Sequence, residues 1–218
     1  MSDDDREARE GAPYQVRTPR LVLRPWVPED APMLAAAYTP ETIAHLSAWI
    51  AWAHDEPTTL AQKAQRLRTL RGRFDLDRHY VYAVLDGRGE LVGGAELARS
   101  VGEGAMELGY WVRAERTRQG FATEITRALA WVAFRWHATR RVEIRCDPRN
   151  APSAAIPRAL GFTHEGTRRQ TYLDAAGVRC DTMIWTMLAP EFDASERFGR
   201  APRAWDVLGE ELGREWWR

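Results

Sequence analysis

The stretch RTRQGFATEITRALAWVAFRW, Arg116 to Trp136, sets basic and polar residues and a glycine just ahead of a strong helical pattern. Amides in such a turn, and in the first turn of the helix, have no partner inside the helix and converge with the positive end of its dipole. That arrangement suits an anion, phosphate above all. Gly120 lets a ligand reach the backbone with no Cβ in the way, Ala122 keeps the next approach small, and Arg116 and Arg118 add charge for a pyrophosphate. Gln119, Phe121 and Thr123 supply the other amides of the mouth. The implied ligand is an anionic, nucleotide-like cofactor, although arginine-rich helix starts after a strand are common and the loop alone is a weak signal.

The elements that must hold this mouth can be read from periodicity. Phe121, Ile125, Ala128, Leu129, Val132 and Trp136 recur at helical spacing and need a sheet to pack on. Strands are expected at RLVLRPW (20–26), HYVYAVL and ELVGGAEL joined by Asp86 to Gly89, AMELGYWV, RVEIRC (141–146), FTHEGT, RQTYL and DTMIWTML. Helices are expected at PEDAPMLAAAY, at PETIAHLSAW, after the Thr59–Gln62 capping box, and at NAPSAAIPRALGF, where the mid-helix Pro157 should kink or shorten the element. The order gives an α+β fold with a mixed sheet. Residues 1–12 read as a disordered tail and 13–190 as the main domain. Residues 191–218 read as a helical extension, because Trp205, Leu208, Leu212 and Trp216 sit three and four apart. That stretch is expected to pack within the chain, to cover an acceptor groove, or to bury itself in a second copy as a homodimer.

Composition narrows the function classes. Thirty-one basic side chains balance thirty-one acidic ones, so no overall field favours nucleic acid or anionic lipid. The longest apolar run, Ala128 to Phe134, is too short to cross a bilayer, and MSDDDREARE has no apolar core for a leader. With only Cys146 and Cys180, a reduced, cytoplasmic setting is expected.

ELGYWVRAERTRQGFATEITRAL followed by NAPSAAIPRALGF resembles the GCN5-related N-acetyltransferases (GNAT), in the RimJ/RimL branch, and the likeness runs from about residue 18 to 190, including TPRLVLRPW and LSAWIAWA. The resemblance implies a three-layer α/β/α sandwich with a splayed sheet. It also implies acetyl-CoA wedged between AMELGYWV and RVEIRC, its pyrophosphate on Gln119 to Ala122, and no metal. Thr117 departs from the family, which usually has Arg or Gln three residues before the glycine. The implied activity is transfer of an acetyl group to a primary amine, either a protein N-terminus or a small molecule. The alternative is a CoA-binding sensor or assembly module with weak turnover.

Amide formation from a thioester needs a neutral amine, a polarised carbonyl and a proton for the leaving thiolate. A bulge in the strand holding Tyr110 and Trp111 would free amides for pantetheine and the thioester oxygen, with Trp111 and Val112 as the donors. By its place in the RimL-like branch Ser153 is the expected proton donor to the thiolate. The plainer alternative is that it only serves the helix start beside an Asn150 cap. Asn150 resembles the family residue that bonds pantetheine. Cys146, seven residues before Ser153, reads as a small core residue. Glu107 could take the ammonium proton through a water, or simply pair with an arginine; either way, Thr171 stands where some relatives carry a glutamate before the Tyr-Leu pair. By resemblance the acceptor enters against Leu46, Trp49, Trp52, His54 and Tyr172, where aromatic rings could clamp an amine and Asp55 and Glu56 attract it.

Overall fold

The computed structural model describes residues 11–50, 53, 56–174, 177–193 and 195–213. Among these, nine strands form one mixed sheet: β1 (Gln15–Arg17), β2 (Leu21–Pro25), β3 (His79–Asp86), β4 (Leu91–Ala98), β5 (Ala105–Val112), β6 (Arg141–Cys146), β7 (Thr163–Leu173), β8 (Arg179–Leu188) and β9 (Arg203–Trp205). Their order in space is β7-β8-β6-β5-β4-β3-β2-β1-β9, and β5–β6 is the parallel pair in an otherwise antiparallel ladder. A parallel pair needs a crossover. It is supplied by α4 (Phe121–Trp131), which continues as a π-helical turn over Val132–Trp136.

Helices close both faces, giving the expected α+β sandwich. α1 (Ala31–Ala37) and α3 (Leu60–Asp75) lie on one side, with α2 (Pro40–Ser47) against the turn that leaves β5. α4 and α5 (Ala151–Leu160) lie on the other, and α6 (Ala189–Asp193) follows β8. Thr39 caps α2 by accepting from the Thr42 amide (3.2 Å), and Thr59 and Gln62 close the expected capping box of α3. β3 shows the two-sided burial: Tyr80, Tyr82 and Val84 face the core under α4, while Val81, Ala83 and Leu85 face Trp26, Leu34 and Leu67. Ile125 and Leu129, one turn apart on α4, are fully buried, and each contributes roughly 1.5–3 kcal/mol. No helix among the described residues is long and apolar enough to cross a membrane.

Three expectations change. The described part of the extension forms no amphipathic helix: after α6 it makes a single 3-10 turn (Glu196–Phe198) and then β9, which pairs with β1 at the sheet edge. The reason is a turn at Asp206–Gly209. The Asp206 carboxylate accepts from the amides of Leu208 (2.8 Å) and Glu210 (2.9 Å), which sends the chain back so that Trp205 bridges Glu211. Leu208 is then 80% exposed at the tip, while Leu212 packs on the core; Trp216 lies outside the described residues. Of the predicted disordered tail, residues 1–10 lie outside the described set, whereas Gly11 accepts from the Trp136 indole (2.8 Å) and Ala12 is buried. Pro157 does not end α5, which runs ten residues through it.

Candidate active site

β5 and β6 pair from Ala105↔Arg141 to Glu107↔Glu143 and then part. β5 keeps following β4 as far as Val112↔Gly93, and β6 keeps following β8 as far as Cys146↔Met183. Each strand stays with its outer neighbour, so the predicted splay opens between them.

The polarity of the gap follows from register. Arg113 donates to the Val92 carbonyl (2.9 Å), so alternation turns the Trp111 amide toward β4 as well, and leaves the amides of Tyr110 and Val112 facing the gap. This corrects two expectations. The β4–β5 register is unbroken from Ala98↔Glu107 to Gly93↔Val112, so β5 has no bulge; the irregularity lies one strand away, between Val84 and Leu85. Trp111 is therefore not a backbone donor to the gap. Its side chain lies on the opposite face, 5.7 Å from the Tyr38 ring. The Val112 assignment is compatible with the geometry, and Tyr110 was missed.

On the α4 side of the gap is a groove of about 510 Å³, lined by Val112, Arg116, Arg118, Gly120, Phe121, Ala122, Thr123, Asn150 and Ser153 among others. Gly120 caps α4 with φ +79°, a left-handed conformation that glycine adopts without strain. The turn at Thr117–Arg118 engages the Gln119 amide, whereas the amides from Gly120 to Thr123 find no acceptor among the described residues, so the mouth of α4 presents a row of unpaired donors. The two arginines differ. Arg116 is engaged by Asp86 (2.6 Å) and Glu90 (3.3 Å) at the β3–β4 turn, which leaves Arg118, with no ion pair among the described residues, as the available cation. Burial works to raise the Asp86 carboxyl, but Arg116 and the amides of Arg88 and Glu90 outweigh it and hold the group below its ordinary range. Gln119 does not line the groove: its carbonyl accepts from Arg20 (2.9 Å), and Arg20 also grips Glu124 (2.7 Å), bracing the loop from β2. Arg20 had no signal in sequence beyond its place in TPRLVLRPW.

Ser153 sits where α5 meets the gap. Its amide donates to Asn150 Oδ1 (3.1 Å), so the capping function of Asn150 is real, and both residues still line the groove. The Tyr110 hydroxyl lies 3.3 Å from Ser153 Oγ and 3.4 Å from the Ser153 carbonyl. Pro157 accounts for that contact: four residues on, it has no N–H to give the Ser153 carbonyl, and the tyrosine supplies a donor in its place. Burial pushes the Tyr110 phenol well up, so at working pH it is protonated and can donate. Burial likewise raises the Cys146 thiol, which lines the same groove.

The opposite side of the gap opens into a second cavity of about 590 Å³ under α1 and α3, with Trp26, Tyr38, Leu67, His79, Glu96, Glu107 and Trp111 in its walls. Tyr110, Trp111, Arg145 and Ser153 line both, so the two meet through the splay. Glu107 reaches this cavity, but its carboxylate accepts from Ser100 Oγ (2.7 Å) and lies 3.7 Å from Arg145, as in the paired reading. Of the predicted acceptor residues, Trp49 and Leu46 line the cofactor-side groove instead, and Trp52 and His54 lie outside the described residues. Tyr172 lines neither cavity. Its hydroxyl donates to Asp147 Oδ2 (2.5 Å), and burial and that carboxylate hold the phenol protonated.

The family model described as an acetyltransferase (GNAT) domain matches residues 20–163. Among curated proteins, the chain is 31% identical over 90 residues to the Bacillus subtilis (strain 168) protein YdaF, which carries the name of a ribosomal N-acetyltransferase; the match covers 41% of this chain and 49% of that one. An uncharacterized N-acetyltransferase p20 of Bacillus licheniformis is 30% identical over 89 residues, again 41% and 49%. The chain thus spans about half the length of the curated relatives it matches. Among solved structures, RimL, a ribosomal L7/L12 alpha-N-protein acetyltransferase in complex with coenzyme A, superposes with a TM-score of 0.72 at 20% identity, covering 80% of this chain and 97% of that one. Mycobacterium smegmatis RimJ, in complex with CoA-disulfide, gives 0.72 at 24% identity over 84% and 90%. The splayed sheet, the row of amides at the mouth of α4 and the family match over residues 20–163 agree: the chain belongs to the GNAT family of acetyltransferases.

Proposed function

We propose that this protein transfers an acetyl group from acetyl-CoA to a primary amine, by direct attack of the amine on the thioester in a ternary complex. The observation that carries this reading is the meeting of two cavities at one gap, a groove suited to an anionic cofactor on one side and an acceptor chamber on the other. The diphosphate of the cofactor would rest on the amides of residues 120–123 with Arg118 beside it, and the pantetheine arm would follow the Val112 amide and Asn150 toward the splay. The cofactor supplies the thioester. The chain supplies orientation, a backbone donor from Tyr110 or Val112 for the developing negative charge on the carbonyl oxygen, and the Ser153 hydroxyl, backed by Tyr110, as proton source for the thiolate.

YdaF and RimL bear the names of ribosomal or ribosomal-protein acetyltransferases, which supports an N-terminal amine of a protein as one acceptor class; a small-molecule amine is the other. The rival reading, a CoA-binding module without turnover, draws on the glutamate that Thr171 replaces and on Pro157 within α5; the helix runs ten residues through Pro157, which weakens the second ground and leaves the first. Thiol release from acetyl-CoA with a panel of amines and N-terminal peptides, with mass spectrometry for the gain of one acetyl group, decides between them. Acetylated product supports the transferase; tight CoA binding with no thiol release on any acceptor refutes it.

A further inference from the structure

The acceptor-side cavity holds a pair of side chains not yet given a use. His79 opens β3 and Glu96 lies on β4, diagonal neighbours because Val81 faces Glu96 and Ala98 faces His79. His79 Nε2 is buried 2.8 Å from Glu96 Oε2, off the line of a well-formed hydrogen bond and with no other partner among the described residues. Glu96 stands directly across from Gly109 and folds over it: a Cβ at position 109 would lie 2.7 Å from Glu96 Oε1 and 2.9 Å from its Cγ. Gly109 is two residues beyond Glu107, the last position of β5 paired with β6, so the Glu96 carboxylate overhangs the lip of the splay. Glu107 is held by Ser100 and Arg145, whereas among the described residues Glu96 has only the out-of-line histidine. Trp26, Tyr38, Leu67 and Trp111 give the cavity an apolar wall beside its charged groups.

Resting on the transferase reading above, we propose that Glu96 receives the acceptor ammonium and takes its proton, that His79 passes that proton to solvent, and that the acceptor is a primary ammonium carried on an apolar body. The protons balance. The ammonium gives one proton to the Glu96 carboxylate, which hands it to His79 and so to water. The neutral amine attacks the thioester carbon, and as the C–S bond breaks the Ser153 hydroxyl gives its proton to the thiolate and takes up the second N–H proton from the adduct, so that amide, thiol and one proton in solvent result. The charged groups sharing the cavity are Glu56 ahead of α3, Arg66 and Arg73 on α3, Glu107 on β5 and Arg145 on β6, with the Tyr38 phenol from the end of α1. Glu56 is already paired with Lys63 (3.0 Å) and with Arg66, which leaves Glu96 as the carboxylate open to an incoming ammonium.

The test titrates 2-phenylethylammonium into the CoA-saturated protein by calorimetry and follows thiol release from acetyl-CoA with the same amine as pH rises. Glu96→Gln should weaken ammonium binding at least ~10-fold and lower kcat/KM roughly 10²-fold near neutrality, with the deficit shrinking as pH rises and free amine becomes abundant. Gly109→Ala, which keeps the acid but pushes it aside, should reproduce the Glu96→Gln behaviour. His79→Gln should keep ammonium affinity within about threefold while lowering kcat. Unchanged CoA affinity in all three variants establishes that they are folded. The inference is overturned if the wild type does not bind the ammonium, or if Glu96→Gln binds it and turns over as the wild type does. An unaffected His79→Gln overturns the relay. Glu96-dependent binding with no thiol release would sink the transferase reading and leave the ammonium site standing; thiol release indifferent to Glu96 would sink this inference alone.

Discussion

Tyr110→Phe tests the leaving-group side of the gap, because the structure separates its effect on stability from its effect on turnover. The hydroxyl is 3.4 Å from the Ser153 carbonyl and 3.3 Å from Ser153 Oγ, long contacts that put the cost of losing them at about 1 kcal/mol, not the several expected of a short charged bond. The Ser153 carbonyl loses its donor because Pro157 has no amide hydrogen to offer. Adding Pro157→Ala should therefore restore the lost stability, since an N–H at 157 reaches the carbonyl four residues back. Turnover should not follow. If Tyr110 and Ser153 together deliver the proton to the thiolate, the single and the double variant should both lose roughly 10²-fold in kcat, the lower end of what positioned proton transfer contributes. CoA affinity should stay within about threefold. Urea unfolding, calorimetry with CoA and thiol release measure the three quantities. A Tyr110→Phe protein with wild-type kcat would refute the proton-delivery argument, and a double variant no more stable than Tyr110→Phe would refute the account of Pro157.

Gly120→Asp should weaken CoA binding by about 10- to 100-fold, since it puts an anion within a few ångströms of the diphosphate, an interaction of order 1–3 kcal/mol at the effective dielectric of a protein surface. Retained affinity in calorimetry would count against the α4 mouth as the diphosphate site. Ser153→Ala should lower kcat at least ~10-fold with little change in CoA affinity; an unchanged rate would leave Ser153 with its helix-start role alone. His137 is stacked on Tyr80 at 4.5 Å with neither ring nitrogen hydrogen-bonded among the described residues, and burial lowers its pKa from 6.5 to about 3. A folded value below the unfolded one means that stability is full above pH 6.5 and is lost as pH falls toward 3. By about pH 5 the loss is ~2 kcal/mol, and Asp86, Glu115 and Asp147, whose carboxyls are held low, add to it only in more acid solution. Urea midpoints of wild type and His137→Phe at about pH 8 and pH 5 check this, and an equal drop in both proteins would refute it.

Local pattern carried much of the fold. Period-two alternation located β2 to β6 and β8, found β7 as two runs that the structure joins, and missed β1 and β9, while the Thr59–Gln62 box and the Gly161 stop placed α3 and α5 where they are found. It failed where two local signals compete: Trp205, Leu208 and Leu212 fit a helix by spacing, but Asp206 and Gly209 make a turn, and the turn wins because β1 offers an unpaired edge that residues 203–205 complete. The candidate site was legible to the extent that it rests on backbone. The mouth of α4 follows from Gly120 and the helical pattern behind it, because amides at a helix start are unpaired whatever the side chains do.

Contacts between distant segments were not legible. That Arg116 is consumed by Asp86 while Arg118 has no ion pair among the described residues depends on where the β3–β4 turn comes to rest. Which amides of β5 face the gap depends on a register set by Arg113 and Val92, and a shift of one residue would have reversed the assignment. The meeting of Tyr110 with Ser153 needs an α5 that crosses the splay, and the seating of Glu96 over Gly109 needs two strands in one register. Sequence alone determined the identity and local conformation of the parts, because hydrogen bonding along a helix or strand is decided among near neighbours. Only the tertiary structure decided which charges are already paired and which side chains face each other across the gap, because those contacts join residues that the chain itself keeps far apart.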